Sequence, residues 1–446
     1  MFVRDLEEKK RRIALLLDAP PPCARGDLRH VAERILGRRA AILAVAARRA
    51  TPFYLFDRDG FVEAARTFAA TFSARVPGHR PFYAVKSNFH PHVLRGAIAE
   101  GYGLDVSSGR EFRLAQRHGA RAILWSGPAK STADLDLAAD HADRTIVHLD
   151  SFRELERLGE VTRRRRKTVR AGVRVTTSHH GTWSKFGVPL ADLGRFWKTA
   201  RAHPRVRLEG VQFHLSWNRN AVAYQRILAD LGARLRADLD LSERRAVRFV
   251  DFGGGYKPHL LEGHYPSGTP LGAAVAAGDE HFGEETEFLD RYYVKESIPL
   301  DEYARAIGEA IDEHLRPVVD CDYFSEPGRI LSTFAMHLLL RVVDKKAADL
   351  VIVDGGINMV GWERYLHIYA PVVNLTRPAT REIPVRIYGS LCDPEDIWGF
   401  QCYGESIEEG DLLIVPYQGA YSFAVAQNFI RAIPPVYALP ARPLEG

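Results

Sequence analysis

Between Phe53 and about Ile330 the chain alternates short aliphatic and aromatic runs with longer stretches whose apolar positions recur at helical spacing. PFYAV (81–85), GLDVS (103–107), AILWS (122–126), TIVHL (145–149), AGVRV (171–175), GVQFHL (210–215) and RFVDFGGG (248–255) are nearly continuous apolar runs. Strands buried on both faces of a parallel sheet read this way. Helices are expected between them, for example over 109–118 and 221–238. Strand and helix alternating over roughly 280 residues predicts an α/β fold, a (β/α)8 barrel of the TIM type. An open doubly wound sheet shares the alternation and stays open on pattern alone.

After about Ser332 the texture changes. LVIVDGG, EIPVRIYG, DLLIVPYQ and PVYAL are short strand-like runs separated by Gly, Pro and Asp turns, which predicts a mostly antiparallel β domain. TPFYLFD (51–57) reads as a strand just before the first barrel helix. The expected organisation is a barrel over 57–335 and a β domain built from 1–56 and 336–446. From Lys257 to Pro299, Gly, Pro and acidic residues occur without clear periodicity. That segment is too long for an ordinary loop and is expected to be an insertion near the barrel mouth.

Composition narrows the function classes. The 446 residues leave room for both domains. No apolar stretch approaches the roughly 18 residues of a membrane span. The N-terminus (1–12) is charged and lacks the apolar run of a secretion signal, so a cytoplasmic protein without a membrane partner is expected. Cys23, Cys321, Cys392 and Cys402 are scattered, without zinc-type spacing, and suit free thiols better than disulfides or a metal site. A net charge of +5 gives no support for nucleic-acid binding. The basic run Arg163–Lys167 reads as a solvated connector before the strand near Val169, since no aromatic residues interleave it.

Three features carry chemistry. Lys86 closes the apolar run PFYAV, where a charged amine is costly unless neutralised, paired or bonded to a cofactor. A lysine snorkelling from a strand end gives the same pattern. Gly253, Gly254 and Gly255 follow a buried strand and offer backbone N–H groups to a phosphate, although a plain tight turn also uses glycines. In FSEPGRIL, Glu326 and Arg329 flank a Pro-Gly turn, suiting a ligand with a basic ring nitrogen and anionic groups, or forming a surface ion pair.

The ordered set YAVKSN, GLDVSSGREF, VQFHL, DFGGGY, SEPGR, GSLCDPED and QGAY resembles the pyridoxal-phosphate (PLP)-dependent ornithine and diaminopimelate decarboxylases, enzymes with an alanine-racemase-like barrel. The resemblance spans about Thr51 to Tyr437. It implies that Lys86 carries PLP as a Schiff base, with Asp105 and Glu111 supporting the site, Arg174 near the cofactor and His214 stacked on its ring. It implies that Gly253–Gly255, Arg329 and Tyr421 hold the phosphate, while Glu326 pairs with the pyridine nitrogen. Cys392 resembles a thiol that returns a proton to the reacting carbon, and Asp393 an acid that binds substrate, both on a loop that enters the neighbouring subunit's site. A homodimer with shared active sites follows from that likeness.

Departures from the family pattern point to a divergent member. Ser216-Trp217 stands where the family has Gly-Ser, leaving Ser216, Asn218 or Asn220 to contact the phosphate. Around the side-chain reader the chain has Trp362, Glu363, Arg364 and Leu366, matching neither standard substrate. Arg364 is a candidate reader of a substrate tail, alongside Arg329 and Tyr421, or else a surface arginine. The expected activity is decarboxylation of an α-amino acid or amino-acid-derived metabolite with a non-standard side chain. A racemase on the same fold and a non-catalytic binding regulator are the alternatives. An acid rather than an arginine at Glu326, and the presence of Cys392, favour decarboxylation.

Overall fold

The structure, a computed structural model, describes residues 6–17, 27–180, 185–284, 292–294, 296–361 and 368–440. Eight strands form the barrel: β1 (His79–Ala84), β2 (Gly103–Val106), β3 (Ile123–Trp125), β4 (Thr145–Leu149), β5 (Val169–Thr176), β6 (Val206–Gln212), β7 (Phe249–Asp251) and β8 (Asp322–Ser325). Each pairs in parallel with the next, and β8 pairs in parallel with β1, so the sheet closes and has no edge. The doubly wound alternative is thereby excluded.

Helices pack outside the barrel through single apolar stripes. The first, Arg58–Arg75, is capped by Asp57, whose carboxylate accepts the Gly60 N–H. It buries Phe61, Ala65, Phe68 and Phe72, spaced at the four- and three-residue intervals of one helix face. Each ring so buried stabilises the fold by about 1.5–3 kcal/mol. Asp57 also pairs with Arg38 and faces His337, tying the barrel's first helix to the second domain.

That second domain contains an eight-stranded, mostly antiparallel sheet. Its long strand Met336–Ala347 pairs antiparallel with Phe53–Phe56, Leu350–Val353 and Leu412–Val415. The strand read in TPFYLFD therefore joins this sheet, lying between Met336–Ala347 and Val436–Ala438. The residues before it are helical where described, over Leu6–Leu17, Arg29–Leu36 and Arg39–Ala46.

Two local expectations are refined. The insertion after Lys257 carries elements that its lack of periodicity hid: Thr269 caps a helix over Pro270–Phe282, and Gly263–His264 pairs with Tyr293–Val294 and with Ile368–Tyr369. The basic run is solvated as expected, but only Arg166 and Lys167 connect the helix to the strand at Val169. Arg163–Arg165 form the last turn of the helix Phe152–Arg165, where cations complement the helix dipole, and Arg164 and Arg165 pair with Asp136.

Candidate active site

Strand alternation builds the site. Phe82, Leu124, Ile146, Phe249 and Phe324 form a separate apolar cluster inside the barrel. Glycines make room for these rings: a Cβ on Gly210 would lie 2.2 Å from Phe249, and one on Gly103 2.2 Å from Phe82. Side chains of a strand return to the same face every second residue. The next inward layer, toward the carboxyl ends, is therefore Ala84, Asp105, Ser126, His148, Arg174, Gln212, Asp251 and Glu326. Seven of these eight are polar and all eight are buried. An apolar floor thus supports a polar ring at the end of the barrel where enzymes of this architecture react substrates.

Lys86 sits one turn beyond β1, in a short 3-10 turn over Val85–Ser87. Its Nζ donates to Asp105 Oδ2 at 3.3 Å. Burial disfavours the charged amine, but Asp105, Glu326 and Tyr421 outweigh this and raise its pKa. Asp105 is fully buried, and its other oxygen accepts from Ser126 Oγ. Burial and the nearby charge of Glu326 push the Asp105 carboxyl up to about 6, against the opposing pull of Lys86.

Glu326 follows β8 directly and is 1% exposed. Gln212 Nε2 donates to its Oε1 at 3.1 Å, and His214 Nδ1 lies 2.9 Å from its Oε2. Burial alone would raise this carboxyl; the contact with His214 and the charge of Lys86 reverse the sign and hold it ionised. His214 Nδ1 is also approached by the Gly254 N–H at 3.3 Å. One nitrogen cannot serve both: protonated it donates to Glu326, unprotonated it accepts from Gly254. Arg174 donates to the Ser126 carbonyl at 3.3 Å and lies 3.9 Å from Asp150.

The glycine turn is sterically required. Gly253 and Gly255 have φ of +70° and +98°, and a Cβ on any of the three would fall within 2.5 Å of a backbone oxygen. The Gly253 N–H, however, is already committed to Asp251 Oδ1 at 2.8 Å. Arg329 opens a short helix beyond the Pro-Gly turn, with its guanidinium between the rings of Trp217 and Tyr421. Tyr421 is anchored by its N–H to the Ser87 carbonyl, next to Lys86. Asn218 and Asn220 are engaged locally: Asn218 Nδ2 donates to the Tyr224 hydroxyl and Asn220 accepts from the Val222 N–H. Glu111 accepts the Ser107 N–H at 2.7 Å, bracing the end of β2.

Cys392 and Asp393 lie outside this network. Cys392 is exposed on the loop joining Glu382–Tyr388 to Ile397–Tyr403, and Asp393 accepts from the Glu395 N–H. The same loop is fastened by the buried Asp396, which accepts from the N–H groups of Leu391 and Ile357. Arg364, with Trp362, Glu363 and Leu366, falls outside the described residues.

Residues 61–268 match the family described as pyridoxal-dependent decarboxylase, pyridoxal binding domain. Over those residues the chain is similar to this family. Diaminopimelate decarboxylase of Neisseria meningitidis is 26% identical, over 85% of this chain and 87% of that protein. An L-glutamyl-(BtrI acyl-carrier protein) decarboxylase of Niallia circulans is 25% identical, over 86% and 87%. The solved diaminopimelate decarboxylase of Helicobacter pylori in complex with L-lysine superposes with a TM-score of 0.71, covering 90% of this chain and 94% of that one at 22% identity. The pyridoxal-dependent decarboxylase fold and the polar ring thus coincide in one chain. Ser126 and His148, both in that ring, lie outside every motif, and Gln212 and Asp251 sit inside VQFHL and DFGGGY without standing out there. Their two-residue offset from an apolar inward position is the signal that finds them.

Proposed function

We propose that this chain is a PLP-dependent decarboxylase of an α-amino acid or amino-acid-derived metabolite, with its cofactor at the mouth of the 57–335 barrel. The observation that carries the reading is Lys86 and Glu326, one cationic and one anionic, held around a single buried polar ring. This donor set fits PLP: an amine for its aldehyde, an anion for its ring nitrogen, and a cation beside a glycine turn for its phosphate. Bound PLP supplies an electron sink for the electrons released as the carboxylate leaves.

The side chains divide the work as follows. Lys86 supplies the amine, oriented by Asp105. Glu326, kept ionised, holds a proton on the ring nitrogen. Gly255, Arg329 and Tyr421 take the phosphate, with Gly254 beside them, while Gly253 keeps its N–H on Asp251 and shapes the turn. His214 would lie against one face of the ring, and Arg174, on β5, would stand near the cofactor. Glu326, an acid where a racemase would need a basic group, favours decarboxylation over that alternative. Cys392 returns a proton to the carbon that has lost carbon dioxide, and Asp393 and Arg364 contact the substrate together with Arg329 and Tyr421. Because Cys392 is exposed and outside the Lys86 network, it serves the site of a second copy, which makes the working enzyme a homodimer with 1–56 and 336–446 as its loop-bearing β domain. Among the described residues no helix is long and apolar enough to cross a membrane. Free thiols at Cys321, Cys392 and Cys402 support a reducing, cytoplasmic setting.

The test is release of carbon dioxide by the PLP-loaded protein from a panel of L- and D-amino acids and their carrier-bound conjugates. Racemisation without carbon dioxide release would replace the reading with the racemase alternative.

A further inference from the structure

His148 has no part in the roles above, yet it stands on the inner side of Glu326. It is fully buried in β4, above the ring of Phe249. Its Nδ1 lies 3.8 Å from Glu326 Oε1 and its Nε2 lies 3.8 Å from Asp251 Oδ2. Neither ring nitrogen has a hydrogen-bond partner, whereas the Asp251 carboxyl also meets Glu326 directly. Unmet polar atoms inside a protein cost about 1–3 kcal/mol each. Two on one ring, facing two carboxyl groups, are a costly arrangement unless one closes in another state. A displacement of under about 1 Å would bring the gap between Nδ1 and Oε1 into hydrogen-bond range.

We propose that His148, backed by Asp251, is a positioning residue for Glu326: it anchors Oε1 from inside the barrel, leaving Oε2 for the cofactor's ring nitrogen. This rests on the reading that Glu326 meets that nitrogen. The donor order follows from the surroundings. Burial, with Lys130 and Arg174 nearby, holds His148 neutral, its pKa lowered to about 3. Burial and the charge of Glu326 keep the proton on Asp251, whose Oδ1 accepts from Gly253. A protonated Asp251 shares its proton with Glu326. The neutral imidazole, with Nδ1 toward Oε1, carries its one proton on Nδ1 and donates it to Oε1 beside the Gln212 amide. Oε2, now on His214 at the open side, is the oxygen free to turn toward the ring. No proton is gained or lost; the chain orders three groups around a carboxylate that stays ionised.

The experiment uses the full-length protein loaded with PLP labelled with 15N in the ring. In His148→Phe, which keeps a ring but no nitrogen, the cofactor should still label Lys86 on borohydride treatment. The ring-nitrogen resonance should move toward its unprotonated position and titrate at lower pH than in the wild type. The kcat should fall roughly tenfold with little change in KM, the scale for partners that orient a directly acting group. His148→Asn, whose amide restores an N–H, should recover much of the nitrogen signal. A ring-nitrogen signal and pH profile unchanged in His148→Phe would overturn the proposal. Glu326→Gln, run alongside, separates the two readings. If it leaves the nitrogen signal unmoved, the role of Glu326 fails; if it moves the signal and His148→Phe does not, only the role of His148 fails. Should His148→Phe not fold, 15N-histidine spectra of the wild type decide: a neutral His148 protonated on Nδ1 supports the proposal, and a charged or Nε2-protonated ring overturns it.

Discussion

Arg329 rests its guanidinium on the indole of Trp217, with Cζ 4.0 Å from the ring centroid. Trp217 is 52% exposed and holds a φ of +58°, a conformation that a bulky residue adopts only at some cost. The departure from the family's Gly-Ser therefore has a structural consequence: the cation proposed for the phosphate is pre-stacked before any ligand arrives. PLP binding should quench Trp217 fluorescence, and the quench should be largely lost in Trp217→Phe. A cation–π contact at an exposed site is worth about 0.5–1 kcal/mol, so Trp217→Ser should weaken PLP binding roughly two- to fivefold. Identical quenching in the wild type and Trp217→Phe would show that the phosphate docks elsewhere.

Lys86 is expected to be the residue that holds the cofactor. Borohydride trapping of the PLP-loaded protein, followed by peptide mapping, should place the pyridoxyl group on Lys86. Lys130, a lysine buried in the barrel, is a natural control. Its Nζ is used up by Glu154 and by the carbonyls of Gly127 and His148, and it should remain unlabelled. A label on Lys130 would reverse the assignment.

Glu326→Gln keeps the shape of the side chain and removes its charge. Turnover should fall by at least about a hundredfold, the scale for losing a group that stabilises developing charge. PLP should still bind through Lys86, as read by its absorbance. Near-normal turnover would mean that the ring is not tuned by this carboxylate.

How much of this was legible beforehand follows from what each residue packs against. The barrel was readable because its strands are buried on both faces and so are apolar throughout. Lys86, Glu326 and the glycines stood out as interruptions of those runs. His148 and Asp251 did not, since a single polar residue inside TIVHL or RFVDF is indistinguishable from a satisfied core group until closure sets the strands in register. The helix Pro270–Phe282 escaped because its alanine- and glycine-rich sequence buries little, leaving no stripe to detect. Cys392 was legible only as part of a motif, because an exposed cysteine on a loop leaves no mark on the apolar pattern.

Asp105 gives a pH signature in the cofactor-free protein. Its folded pKa of about 6 lies above the ordinary aspartate value of 3.8, so between these limits the native state binds more protons than the unfolded chain. Stability contributed by this group is therefore present below about pH 4 and declines as pH rises through about 6. Asp105→Asn removes the titration. The difference in unfolding free energy between wild type and variant should shift against the wild type by on the order of 2 kcal/mol between those pH values. Parallel stability curves across this range would show that Asp105 titrates normally.

The last prediction joins chemistry to assembly. Lys86 belongs to the barrel network, whereas Cys392 is exposed on a β-domain loop pinned by Asp396. If that loop serves the neighbouring copy, Lys86→Ala and Cys392→Ala are lesions in different halves of one composite site. Mixed and allowed to exchange, they form heterodimers in which one site receives both intact residues and the other neither. Equal amounts give half heterodimers, so activity should return to roughly a quarter of wild type when the sites act independently. The parents must each be nearly inactive, which is checked first, and exchange is followed by native mass. Heterodimers formed from two such parents without regained activity would place Cys392 in its own chain's site or outside the chemistry. Recovery near a quarter, by contrast, requires that the thiol cross the interface, because no arrangement in cis restores a site from these two lesions.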